Sequence, residues 1–504
     1  MFKIENILFW LKKEFKARDI VLLIGLITLF FLTRIINLDK LPIFTDEGIY
    51  IHWAKVAWKD ASWRFVSLTD GRQPLQTWGT IPFLKLFPNN ALFAGRLFSV
   101  STGFISLIGI FTLLKYLFNK KAAFIGSLLY IITPYFLFYD RMALVDSAVN
   151  AGFIWILFFS ILLAKTRRLD VTLIFGLVTG TALLAKSSVR LFIGLSLFAP
   201  ILFFQKNKKK FISNTINYVL LFLIVIFFSI VLYNIQRLSP FFHFVSQKNL
   251  TFVMSFDEFI KTPFLVFFNN LKSIPLYVSW ELGWFIVIFA FLGMIMLYKK
   301  DIKLFLYLLL WILLPYIAIA FFSKVLFPRY LIFLGTLMLI FASYFFSLLK
   351  NKRVFLLSFV FLITTSVYFC FPIIFNPVLM NLPPIDRGQY IEGRASGWAM
   401  KEIVAYAREK SKEKRVVILA EGDFGMSGDV LDVLLLPDDN IFIKGYWPLD
   451  KSKLDENKIE LEKNIVLAVF NNNDEFPSDW PIKLIKKYNN PGNKSSTHLF
   501  ELTP

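Results

Sequence analysis

Asp46 and Glu47 are neighbouring carboxylates that follow Thr45 and open a stretch in which Ile49, Trp53, Val56 and Ala57 recur at helical spacing. A carboxylate placed this way can serve as general base toward a hydroxyl, with its neighbour orienting the acceptor or a metal. The plainer role is a helix start, where acids are favoured by the helix dipole. Further along, Asp70 and Arg72, Arg141 and Asp146, Lys186 and Arg190, and Arg329 each stand near the end of an apolar run. A charge beside hydrocarbon is costly without a partner. Lys186 and Arg190 are four residues apart, a spacing that on one helix face sets like charges against each other and favours an anion between them. Arg72, Arg141 and Arg329 can complete a basic ring, because guanidinium groups bind phosphate oxygens in pairs. The plainer role of such cations is to reach the membrane interface along their own methylene stems. The residue types therefore allow proton removal from a hydroxyl next to a cationic phosphate clamp.

The elements that must hold these residues are apolar. Of 504 residues 57% are hydrophobic, 60 of them Phe, and 18% are charged, against about 25% charged in an average soluble domain. Eleven runs approach the roughly 20 residues that cross a bilayer: 20–37, 92–117, 122–138, 146–164, 171–186, 189–204, 216–233, 280–298, 303–322, 330–349 and 354–372. Lys12, Lys13, Lys16 and Arg18 precede the first run, and no small-residue cleavage site follows it, which predicts an uncleaved first span. Every second loop is basic, from Lys120 and Lys121 through Arg167 and Arg168 and Lys208–Lys210 to Lys352 and Arg353. The positive-inside rule then places the N-terminus in the cytoplasm and residues 376–504 outside it. The net charge of +20 divides into +23 before residue 376 and −3 from there on. The basic excess follows topology, and nucleic acid is excluded as a partner. Cys370 is the only cysteine, so no intrachain disulfide forms; an exported domain without disulfides fits a prokaryotic envelope.

The expected fold class is thus an α-helical multi-pass protein of the cell membrane with about eleven transmembrane helices and an external α/β domain at its C-terminal end. Residues 1–375 form the membrane domain, with long external loops at 38–91 and 234–279 that are rich in Trp, Phe and Pro. Gly48–Trp58 reads as an amphipathic helix lying in the membrane interface. Residues 376–504 form the accessory domain, with a helix over Trp398–Lys410 and strands at Val416–Leu419, Val430–Leu436, Ile441–Ile443, Ile465–Phe470 and His498–Leu502. Glu421 and Asp423 are expected to be structural acids there. His52, His243 and His498 are far apart in sequence, which argues against a His-based metal site.

Several motifs together resemble the C-type membrane glycosyltransferases, in particular the branch of protein O-mannosyltransferases and the aminoarabinose transferase of lipid A. They are Phe44-Thr-Asp-Glu-Gly-Ile-Tyr50, Gly71-Arg-Gln-Pro-Leu75, Gly95-Arg-Leu-Phe-Ser99, Asp140-Arg-Met-Ala-Leu-Val-Asp146, Ala185-Lys-Ser187 and Pro328-Arg-Tyr330. The resemblance implies an integral enzyme that moves a sugar, with inversion, from a polyprenyl-phosphate donor to a lipid, glycan or protein acceptor outside the cytoplasm. By position, Asp46 matches the first-loop catalytic acid, Asp146 the second acid and Arg141 a conserved basic residue. Arg72 stands where relatives often have Lys before Pro-Pro-Leu, and Gln73 replaces the first Pro. The Trp-Trp-Asp motif of oligosaccharyltransferases is absent, which argues against N-glycosylation.

The site expected on this basis has Asp46 as base, Glu47 as orienter and Asp146 as second acid. Arg72, Arg141, Lys186, Arg190 and Arg329 bind the donor phosphate, and a divalent metal is allowed for but not required. Because the carrier leaves as a phosphate anion, one base and a cationic clamp suffice without a general acid. On this expectation Asp46→Asn abolishes transfer and leaves donor binding nearly unchanged. The alternative, a flippase or transporter of lipid-linked sugars, calls for inverted repeats or broken helices at the midplane; the sequence carries neither sign.

Overall fold

The computed structural model describes residues 14–504, so Lys12 and Lys13 lie outside the described residues. Asn or Asp side chains fix where several of the long helices begin. Asn90, Asn119, Asn207, Asp301 and Asn351 each accept a hydrogen bond from a backbone N–H of the first turn, starting helices Ala91–Leu117, Lys120–Ile132, Lys208–Tyr233, Ile302–Phe322 and Lys352–Phe375.

Among the described residues six helices are long and apolar enough to cross a membrane, or up to eight if each of two bent pairs is one span. The eleven apolar runs map onto helices less simply than their lengths suggest. Runs 171–186 and 189–204 become Leu169–Leu183, of 15 residues, and Val189–Ser196 followed by a 3-10 turn. Run 122–138 breaks at Thr133-Pro134, where the two helices meet at 63°, since proline removes a helical N–H. The run at 280–298 belongs to a longer element: Phe267–Leu282 lies mostly inside the supposed loop 234–279 and turns by 107° into Trp284–Lys300. Gly283 sits between them at φ +82°, a conformation glycine adopts without strain.

Two helices form the centre of the bundle. The apolar windows of Asp146–Thr166 and Pro328–Leu348 are each 89% buried, whereas that of Lys352–Phe375 is 17% buried and faces outward. Asp146 and Arg329 therefore sit at the N-terminal ends of the two best-packed helices, where their positions are held by the whole bundle.

The C-terminal part carries a five-stranded sheet of order β2-β1-β3-β5-β4, with β1 Val416–Glu421, β2 Ile441–Tyr446, β3 Ile465–Phe470, β4 Ile482–Asn489 and β5 Ser496–Leu502. β1 is parallel to β2 and β3, while β5 is antiparallel to β3 and β4. Residues 430–436, expected as a strand, instead lie mostly in the helix Gly428–Leu434; in the sequence Val-Leu-Asp-Val-Leu one polar residue interrupts apolar ones at helical spacing. β4 gave no strand signal because it is an edge strand bearing Lys483, Lys486 and Lys487 on exposed positions.

Thr45–Lys59 is a helix, but its apolar face meets protein rather than lying open on a bilayer. Ile49, Ile51, Trp53 and Ala54 are all buried, and Gly48 packs so tightly on helix Gly428–Leu434 that an added Cβ would come within 2.6 Å of Val430 Cγ2. His52 and Lys55 continue the contact through Asp432, at 2.9 and 2.8 Å. On the other side, Phe44 forms a β-bridge with Ser396, and the Thr45 N–H donates to Ala395 O. The helix is thus clamped between the bundle and the C-terminal sheet.

Candidate active site

At the start of Thr45–Lys59 adjacent side chains diverge by about 100°, and the two acids go to opposite sides. Glu47 is wholly buried. It accepts from Arg96 Nε and Nη2 at 2.8 and 2.7 Å and from the N–H groups of Ala143 and Phe44 at 2.7 and 3.0 Å. This is a structural joint between the first external loop and the bundle, and it corrects the expectation that Glu47 orients an acceptor.

Asp46 faces a cavity of about 950 Å³. Arg72 donates through Nη2 to its Oδ1 at 3.1 Å, and Arg329 through Nη2 to its Oδ2 at 3.0 Å. Burial raises the carboxyl pKa, but the two guanidinium groups outweigh it and hold Asp46 down at about 2. Arg72 is itself aimed by Asp70, which accepts from its Nε at 2.9 Å and from Lys248 Nζ at 2.8 Å, and it lies over the rings of Tyr50 and Trp53. Arg329 reaches Tyr390 Oη through Nη1 at 3.4 Å.

Asp146 and Lys186 pair at 3.3 Å on the same cavity wall, with the Lys186 ammonium 3.8 Å from the centre of the Tyr330 ring. Arg190 also lines the cavity and donates to Tyr233 Oη at 2.9 Å. Lys186 and Arg190 do not share a helix: Lys186 lies in the connection before Val189–Ser196. Their approach to one cavity comes from the turn, not from four-residue periodicity. Of the sequence-derived residues, Asp46, Arg72, Asp146, Lys186, Arg190 and Arg329 are brought together.

Arg141 is not among them. Its guanidinium donates to the carbonyls of Thr33, Arg34, Ile36 and Asn37 at 2.8–2.9 Å, closing the C-terminal end of helix Ala17–Ile35, whose last carbonyls lack helical partners. It is a helix cap rather than a phosphate ligand. Its neighbour Asp140 meets Arg34 at 3.3 Å and accepts from Tyr130 and Ser147. Glu281 lies away from the cavity, buried beside Asp386 and a small void; burial raises the Asp386 carboxyl to about 6. Glu421 accepts from the N–H groups of Asn471 and Asn472 at 2.7 and 2.6 Å, tying β1 to the loop after β3.

Three contributors escaped sequence reasoning. Lys248 belongs to helix Phe244–Phe252, which covers the cavity and is fastened there by Met254 N–H to Phe322 O and Lys324 N–H to Phe252 O, both at 2.8 Å. Tyr330 follows a residue already singled out. Tyr390 stands in the segment after the last long helix, with its ring against Phe44 and Phe138. Their only sequence signal is a polar or aromatic residue in an external segment, which many others share. The remaining wall is apolar, with Val149, Leu191, Phe192, Phe322, Ile332 and Phe333. Among the described residues no group of three His, Cys, Asp or Glu side chains is placed to hold a metal ion.

The site therefore joins two carboxylates, five cations and a greasy wall at the ends of membrane helices, and comparisons with known proteins bear on the fold that holds it. The family model described as dolichyl-phosphate-mannose-protein mannosyltransferase matches residues 72–233. ArnT from Cupriavidus metallidurans is similar in structure in its apo state, at 11% identity over 96% of this chain and 97% of that one with a TM-score of 0.57. The same protein bound to undecaprenyl phosphate is similar at 13% identity, with the same coverage and TM-score. The Archaeoglobus fulgidus oligosaccharyltransferase is similar at 12% identity over 90% of this chain and 70% of that one, with a TM-score of 0.53. No curated protein matches by sequence. The fold is that of the C-type membrane glycosyltransferases. Residues 72–233 match the mannosyltransferase family model, and the likeness to the solved structures is one of fold.

Proposed function

We propose that the protein takes a sugar from a polyprenyl-phosphate donor and passes it, with inversion, to a hydroxyl of a lipid, glycan or protein acceptor on the extracytoplasmic side of a prokaryotic membrane. The observation that carries this reading is Asp46 held by Arg72 and Arg329 in a cavity with one apolar wall. ArnT with undecaprenyl phosphate bound supports the donor class. In this reading the N-terminus is cytoplasmic and the sheet-bearing part external, which the alternation of basic loops supports.

In this mechanism the prenyl chain lies along Leu191, Phe192, Phe322 and Phe333, and the phosphate is met by Arg329, Lys186 and Arg190, with Lys248 and Arg72 at the covered side. Asp46 accepts the proton of the acceptor hydroxyl as that oxygen bonds to the anomeric carbon, and the bond from that carbon to the phosphate oxygen breaks. The carrier departs as its phosphate dianion, whose added charge the clamp stabilises. Asp146 positions Lys186 rather than taking a proton. A base held at about 2 is a poor proton acceptor, since effective bases titrate near the working pH. Donor phosphate corrects this: by drawing Arg72 and Arg329 onto itself it raises the Asp46 pKa, so the base becomes competent when the donor is bound. Side-chain cations meet the phosphate charge, and the reading requires no divalent metal.

The test is mass spectrometry of lipid-linked sugars from cells with and without the protein. Loss of the protein should accumulate one polyprenyl-phosphate sugar, and re-expression of wild type but not of Asp46→Asn should clear it. An unchanged lipid-linked sugar pool would overturn the function, and clearance by Asp46→Asn would overturn the role of Asp46.

A further inference from the structure

The loop 422–427 joins β1 to the helix Gly428–Leu434 and presses on the helix that carries Asp46. An added Cβ at Gly425 would lie 2.8 Å from Thr45 Cγ2, and Thr45 lines the cavity. The end of β2 packs on the same loop: the Gly422 N–H donates to Tyr446 O at 2.8 Å, and a Cβ at Gly445 would fall 2.3 Å from Asp423 Cα. The carboxyl ends of two adjacent parallel strands thus form a rim behind Thr45, outside the residues that line the cavity, and this is the end of parallel sheets at which ligands bind.

Two large rings stand out of that rim. Phe424 is 46% exposed and Trp447, next after β2, is 68% exposed. Phe424 continues a row of aromatics that starts in the cavity: its ring lies 5.9 Å from Trp53, and Trp53 lies 6.0 Å from Tyr50, which lines the cavity under Arg72. The Asp423 carboxylate is exposed beside Phe424. Leaving rings of this size in water forgoes roughly 1.5–3 kcal/mol of burial each, so a bound partner that covers them recovers it.

We propose that Phe424 and Trp447, which follow the adjacent ends of β1 and β2, form with Asp423 a platform for a carbohydrate acceptor, seating sugar units beyond the one that receives the transferred residue. The inference rests on the glycosyltransferase reading of the cavity. A pyranose offers a face of C–H groups to an aromatic ring and hydroxyls at its edge to a carboxylate, and the rim supplies both. A peptide would instead use side-chain pockets or main-chain pairing, and an anionic membrane surface would be repelled by Asp423 and by a C-terminal part of net charge −3. The platform accordingly suits a neutral or basic saccharide.

The experiment uses the full chain in lipid nanodiscs, with saturation-transfer NMR to mannohexaose, to cellohexaose and to a neutral hexapeptide. The expected result is saturable transfer to the C–H protons of at least one hexasaccharide, weakened at least about tenfold in Phe424→Ala/Trp447→Ala and retained in Trp447→Phe, which keeps an aromatic face and reports that the rim is folded. Binding to neither sugar, unchanged binding in the double alanine variant, or transfer to the peptide alone would overturn the platform. Quenching of Trp447 by brominated lipid would assign it to the membrane interface and overturn it too. Failure of the underlying reading is separate: wild type would then release no polyprenyl phosphate from a polyprenyl-phosphate sugar, whereas a protein that releases it but binds no saccharide fails this inference alone.

Discussion

Replacing Asp46 by Asn should strengthen donor binding while stopping transfer. The two guanidinium groups that would hold the phosphate already hold Asp46, at 3.1 and 3.0 Å. Their hold moves the carboxyl from 3.8 to about 2 against burial; at 1.36 kcal/mol per pH unit this favours the charged form by about 2–3 kcal/mol. A phosphate must displace that interaction to recruit Arg72 and Arg329, and it must do so beside a like charge. Asn keeps the shape and one neutral acceptor but no charge. If roughly half the interaction is recovered, donor affinity rises by about 1–2 kcal/mol, or roughly 5–30-fold. Loss of the base lowers the rate of transfer by about 10²–10⁴. Binding is measured by titrating nanodisc-embedded protein with polyprenyl phosphate, and turnover by donor consumption. This differs from the expectation drawn from sequence alone, in which donor binding is unchanged, because sequence gave no sign that Asp46 shares its arginines with the donor. A donor that binds Asp46→Asn equally or more weakly would refute the competition, and undiminished turnover would refute the base.

The same competition separates two pH profiles. In the free protein Asp46 stays charged until the pH falls toward about 2, whereas the donor complex, with its arginines on phosphate, should show an acid limb in kcat at clearly higher pH than in kcat/KM; coincident limbs would contradict it. Glu47→Ala leaves Arg96 buried without its partner and should cost about 3–5 kcal/mol, seen as a lower Tm; an unchanged Tm with lost activity would return Glu47 to the chemistry. His52 is partly buried, which lowers its pKa, but the hydrogen bond to Asp432 and the charges of Asp432 and Asp429 raise it on balance. Its contribution is therefore full below its unfolded value of about 6.5 and fades as pH rises through the folded one, so the Tm gap between wild type and His52→Gln should narrow as pH is raised above about 6.5; a gap that widens would reverse the sign. Reporter fusions at Lys208 and Ser411 should lie in opposite compartments, and the same compartment for both would reject the topology.

Membrane residence, the alternation of basic loops and the chemistry of the charged positions all follow from the sequence, because each depends on residue type and spacing along one dimension. The cost of placing Asp46, Lys186 or Arg329 beside hydrocarbon marks them whatever they touch. The same cost marks Glu47, Arg141 and Asp140 equally, and here residue type is silent: a buried carboxylate paired with Arg96 and a carboxylate facing a cavity look alike until the helix start at Thr45 points them apart. Arg141 capping the helix Ala17–Ile35 and Arg329 holding Asp46 differ only in what lies within reach. The apolar runs were legible, yet their division into helices, with the 107° turn at Gly283 and the 63° break at Pro134, was not, since hydropathy averages over a break of one residue. Tertiary structure alone decided that Lys248, Tyr330 and Tyr390 join the site, and that a loop after β1 packs behind Thr45 at its wall. Those contacts join residues tens to hundreds of positions apart, and only packing, which buries the Asp146–Thr166 and Pro328–Leu348 helices at the centre, sets which of them meet.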